Sequence, residues 1–122
     1  MGHFKGFVKR SFLAPAAYAL LEKLREIAPA QNSFLGYKFR GTKEMRSGSY
    51  ERYLLDFLMP LLDASTSFIN IGANVGYFAS VAKSKGVSRV IAIEPHLSNF
   101  KILVSNLKNI ETSTKLIYSI SL

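Results

Sequence analysis

A chain of 122 residues holds one domain at most. With 48% hydrophobic and 20% charged side chains it is expected to bury a core rather than stay disordered. The absence of cysteine excludes disulfides, thiolate metal sites and cysteine nucleophiles, and fits a reducing, cytoplasmic setting.

The net charge of +8 is uneven, for Lys5, Lys9 and Arg10 precede the first acidic residue, Glu22. Such a face attracts phosphates, anionic lipid or nucleic acid, or is simply a solvated surface. Residues 1–21 are basic, apolar and acid-free, a pattern shared by transit peptides, membrane-surface helices and docking helices. Gly6 stands where a myristoylation signal needs Ser or Thr. No apolar run approaches the ~20 residues of a bilayer span. His3 and His96 lack ligand spacing, so no metal site is expected.

Residues 15–27 read as a helix that opens on Pro15 and stops before Pro29, with Ala17, Leu20, Leu21, Leu24 and Ile27 at helical spacing. A short strand is expected within Phe34–Phe39. A second helix is expected from Tyr50 to Leu62, capped by Ser47 or Ser49, with Glu51 in its first turn and Pro60 bending its end.

From residue 67 the pattern changes. Ser67–Ile71 reads as a strand, Gly72-Ala73-Asn74-Val75-Gly76 as a turn, and Tyr77–Ser84 as a helix stopped near Lys85-Gly86. Arg89–Ile93 is a second strand ending in Glu94-Pro95, Ser98–Leu107 a third helix, and Lys115–Ile120 a third strand. The order β-α-β-α-β argues for an α/β fold with a Rossmann-like parallel sheet, preceded by N-terminal helices.

A glycine turn between strand and helix lets the backbone bend sharply and a ligand approach closely, while the helix start aims free N–H groups at it. Glu94 lies 22 residues after Gly72, at the end of the next strand, where a carboxylate can accept from ribose hydroxyls. A nucleotide-like cofactor is therefore expected. The spacing Gly72-x-x-x-Gly76 departs from the dinucleotide pattern, and Asn74 would crowd a pyrophosphate. That favours S-adenosylmethionine (SAM) over NAD and leaves NAD open.

The stretch Phe68 to Phe78, with Val90-Ile91-Ala92-Ile93-Glu94-Pro95, Asn99-Phe100 and Asn106-Leu107, resembles the FkbM family of class I methyltransferases. Gly48-Ser49-Tyr50-Glu51 resembles the segment before that family's first motif, so the resemblance covers roughly residues 47–110. It implies O-methyl transfer from SAM to a hydroxyl of a glycan or small metabolite. By position, Gly72, Ala73, Asn74 and Gly76 would line the methionine end, with Tyr77 beside them, and Glu94 with Pro95 would take the ribose. The family usually has Asp where this chain has Asn70, so weaker binding at the ammonium end is expected.

The resemblance also implies a sheet with strand order 3-2-1-4-5-7-6, of which this chain reaches strand 3. The division expected is a basic segment, 1–49, and a partial SAM-binding domain, 50–122. A partial methyltransferase would leave the strand at residues 67–71 as an exposed edge open to self-association. It would lack half the ligand crevice and the acceptor-binding residues, and so be inactive alone or nearly so. Two other readings stand beside it: a small basic binding module without catalysis, and an NAD-binding fragment of an oxidoreductase. No catalytic residue is identified.

Overall fold

The computed structural model describes residues 14–120. The basic stretch at 1–13, with the targeting readings attached to it, lies outside the described residues.

Helix α1 (Pro15–Ile27) has the expected bounds, with Pro15 in its first turn and an extended Ala28 ahead of Pro29. Its apolar stripe is not a core face. Leu20, Leu21, Leu24 and Ile27 are all exposed among the described residues, and the helix buries none of its side chains. Polar contacts tether it to the start of the later helix Leu97–Lys108 instead: Glu22 to His96 at 3.3 Å, Glu26 to Lys101 at 3.5 Å and Arg25 to Asn99 at 3.2 Å.

The expected strand at 34–39 contracts to β2 (Lys38–Phe39), paired antiparallel with β1 (Gln31–Asn32). Phe34 cannot join it, because its amide donates to the Arg46 carbonyl at 2.7 Å and the chain turns through Gly36 at φ +81°. A short helix that periodicity did not reveal, α2 (Lys43–Ser47), follows. Thr42 caps it by accepting from the Met45 amide, and Gly48 ends it in the left-handed conformation.

The helix expected over 50–62 begins later, as α3 (Arg52–Leu58), and tightens into a 3-10 turn, Met59–Leu61, around Pro60. Neither Ser47 nor Ser49 caps it; both hydroxyls reach the Glu44 carbonyl and each other. The capping position belongs to Glu51, at φ 42° and ψ 48°.

Strands β3 (Ser67–Ile71), β4 (Arg89–Ile93) and β5 (Lys115–Ser119) alternate with helices α4 (Tyr77–Ser84) and α5 (Leu97–Lys108). The three strands form one parallel sheet in the order β3-β4-β5, with Ser67 opposite Arg89 and Arg89 opposite Lys115. The fold is thus α/β, with a Rossmann-like parallel sheet and helical elements ahead of it.

The main core lies where α4 and α5 cover the central strand. Val90 and Ala92 of β4 meet Ala79, Val81, Ala82, Leu103 and Leu107, all fully buried. Burying side chains of this size stabilises by roughly 1.5–3 kcal/mol each for the larger aliphatics. A second cluster of Phe39, Met45, Val75, Tyr77 and Ile102 fastens the 39–45 region to the glycine turn. Asn106 strengthens that junction from full burial: its amide donates to the carbonyls of Val75 (2.8 Å) and Arg40 (2.9 Å), and its oxygen accepts from the Arg40 amide (2.7 Å). Among the described residues no helix is long and apolar enough to cross a membrane, and no group of three or more potential metal ligands occurs.

Candidate cofactor cleft

The turn after β3 is built from left-handed residues. Gly72 (φ +72°), Asn74 (+54°) and Gly76 (+85°) alternate with Ala73 and Val75, whose side chains are buried. This geometry reverses the chain at the carboxyl end of the sheet, the usual location of ligand crevices in open α/β folds. The two glycines differ in what they accommodate. A side chain on Gly72 would point into open space, whereas one on Gly76 would meet Leu103 of α5 at 3.2 Å. Gly72 leaves room for a ligand; Gly76 leaves room for helix packing.

Glu94 locks the turn from the next strand. Its Oε2 accepts from the Asn74 amide at 2.7 Å and its Oε1 from the His96 amide at 2.9 Å. The amides of Gly72 and Ala73 both donate to the Ile93 carbonyl at 2.9 Å. One buried carboxylate thus joins the glycine turn to the start of α5, and charge-assisted bonds of this kind are about twice as strong as neutral ones.

A cleft of about 240 Å³ opens beside the turn. Five of the eight expected site residues line it: Asn70, Gly72, Ala73, Asn74 and Tyr77. Gly76, packed against Leu103, stands outside its lining, as do Glu94 and Pro95. Glu94 is 6% exposed, so the role its geometry displays is locking the turn.

The cleft also gathers Met45, Tyr50, Glu51 and Phe78. Of these Glu51 is the residue that sequence reasoning misplaced, as a helpful charge in a helix's first turn. Its left-handed backbone costs an L-residue about 1–2 kcal/mol, and it sets the carboxylate-bearing residue at the same mouth as Asn70. Spacing alone carried no signal of this, because a left-handed backbone at a non-glycine residue leaves no mark in periodicity.

Tyr77 occupies the centre of an aromatic group, with ring centroids 4.8 Å from Phe78, 5.3 Å from Tyr50 and 6.3 Å from both Phe34 and Phe39. Its hydroxyl is buried and has no hydrogen-bond partner among the described residues. Burial raises the Tyr77 hydroxyl's pKa above its ordinary value, and the negative Glu51 adds to that although Arg52 opposes it. The group therefore remains a neutral donor at physiological pH.

No protein-family model matches the chain, and no curated protein matches it. Among solved structures it is similar to a crystal structure described as a putative RNA methyltransferase from Pyrococcus horikoshii, at 21% identity and a TM-score of 0.49. That match covers 80% of this chain, which spans about half (48%) of the other.

Proposed function

We propose that the cleft binds SAM and that the chain serves an FkbM-type O-methyl transfer to a hydroxyl. One observation carries this reading: a strand–turn–helix with three left-handed residues, locked by a carboxylate from the next strand, opens on a cleft beside an unpartnered Tyr77 hydroxyl.

The residues fit such a group. Gly72 leaves open space beside the turn, into which any side chain would project. Ala73 and Asn74 present the turn, and Gly76 and Tyr77 begin the helix behind it. Asn70 offers an oxygen near the ammonium end, and Glu51 supplies there the negative charge that Asn70 lacks. By resemblance Glu94, with Pro95, is assigned the ribose, although both stand outside the lining of the cleft. Each carboxylate oxygen retains acceptor capacity beyond the single amide it holds. SAM supplies an electrophilic methyl group when bound. The chain's own part is to hold and orient, which accounts for much of the rate in reactions that run on positioning.

Calorimetric titration of the folded protein with SAM, S-adenosylhomocysteine and NAD tests the proposal. Binding of the first two and not NAD is expected, and Asn70→Asp should tighten it. Selective NAD binding, or none at all, overturns it; an Asn70→Asp variant with unchanged affinity overturns the charge assignment.

A further inference from the structure

On the far side of the Phe39–Val75–Ile102 cluster from the cofactor cleft lies a second hollow, of about 150 Å³. Three arginines from separate elements line it: Arg25 from the last turn of α1, Arg40 just after β2 and Arg46 from α2. Phe39, Val75 and Ile102 add apolar lining. Among the described residues no carboxylate lines it.

The guanidiniums are oriented but not neutralised. Arg40 donates through Nε to the Ala28 carbonyl at 2.6 Å and through Nη1 to the Ser105 hydroxyl. Arg46 donates to the Gly41 carbonyl at 2.6 Å, and Arg25 to the Asn99 side chain at 3.2 Å. Every one of these acceptors is uncharged. Among the described residues the ion pairs join Arg52 to Asp56 and Lys101 to Glu26, His96 lies beside Glu22, and none of these contacts involves the three arginines. Each guanidinium has five N–H donors and uses one or two of them.

Three like charges held around one small hollow repel each other, and fixed guanidinium forks match the oxygens of phosphate better than any other side chain. Arg40 is the most firmly built of the three. Its backbone amide and carbonyl are both bonded to the buried Asn106 that also holds Val75 of the glycine turn. The hollow is therefore rigidly joined to the cofactor cleft while remaining separate from it.

We propose that the Arg25–Arg40–Arg46 hollow is a binding site for a phosphate group, either free or carried on a nucleic-acid backbone. The site stands whether or not the neighbouring cleft binds SAM.

The test is a titration of the full chain with inorganic phosphate, followed by thermal unfolding against sodium chloride at equal ionic strength. A saturable rise in the unfolding temperature is expected with phosphate alone. Arg25→Gln, which gives up one exposed hydrogen bond and should keep the fold, is expected to weaken binding about tenfold, the equivalent of one charge-assisted bond. The same charge change at the exposed Lys85, as Lys85→Gln, should leave affinity within about twofold. A short single-stranded RNA separates the sources. If it binds, is displaced by phosphate and loses affinity in Arg25→Gln, the site takes backbone phosphate. If phosphate binds and the RNA is indifferent to Arg25→Gln, the ligand is a free phosphate. No saturable effect of phosphate beyond chloride, or equal losses in Arg25→Gln and Lys85→Gln, overturns the proposal.

Discussion

Asn74 stands in the turn at φ +54°, where its short amide side chain tolerates a conformation most residues resist. The sequence suggested as much, since Asn sits between two glycines. It did not show that the Asn74 amide would be the donor that Glu94 captures. Glu94→Gln tests that bond. Glutamine keeps one acceptor oxygen and turns an NH2 toward the other amide, leaving a buried donor unmet. A loss of about 1–3 kcal/mol in urea unfolding is expected; an unchanged midpoint would show that the carboxylate does not hold the turn. Tyr77→Phe should separate structure from function at the neighbouring position. Removing an unpartnered buried hydroxyl should leave stability unchanged or raise it by up to about 1 kcal/mol, while SAM affinity falls by about threefold or more, the worth of one net hydrogen bond. A variant that loses stability and keeps affinity would reassign the hydroxyl to the fold.

At the scale of elements, what was legible is what local pattern dictates. The bounds of α1, β3, α4 and β4 follow from an opening proline, runs of β-branched residues and glycine stops, and the structure reproduces them. The five-residue α2 was not legible, because it is too short to show periodicity and is stabilised by burying Met45 against Tyr77 and Phe39. Nor was the destination of the lysines closing α4. Lys83 is buried, and its ammonium crosses to the Leu107 carbonyl at 2.8 Å, where it meets the negative end of α5. Burial lowers its pKa from the ordinary lysine value of 10.5. Between the lowered value and 10.5 the native state binds fewer protons than the unfolded chain, so this group's contribution to stability increases with pH through that window. Lys83→Met removes that dependence. The stability difference between wild type and variant should move in favour of wild type from pH 7 to pH 10, whatever its sign at pH 7. A gap independent of pH would mean that the amine is as well solvated as in the unfolded chain.

For the whole molecule, the order β-α-β-α-β was enough to expect a parallel sheet with the glycine turn at its carboxyl end, and the family resemblance implied the strand order that puts β4 at the centre. Which surfaces would be left open was less legible, because periodicity identifies an apolar stripe without saying what covers it. The stripe on α1 looked like a core face and is exposed, while surface polar contacts hold the helix, its Lys101–Glu26 ion pair worth about 1 kcal/mol or less. The same question bears on β3. Among the described residues it pairs with β4 on one side and with no strand on the other, and Ile69 and Ile71 are 60% and 68% exposed. A strand with one open edge and two large apolar side chains on one face is a template for another chain. We therefore expect concentration-dependent self-association, measurable by light scattering, that Ile69→Lys suppresses. The substituted side chain replaces an exposed one on a paired strand, so the fold should survive and circular dichroism should not change. The net charge of +8 opposes association through general repulsion, which salt screens over a Debye length of about 10 Å at 0.1 M. Scattering should therefore rise with sodium chloride in wild type and stay flat in Ile69→Lys. If both proteins associate alike as salt increases, the contact lies elsewhere, and the exposed stripe of α1 becomes the surface to alter.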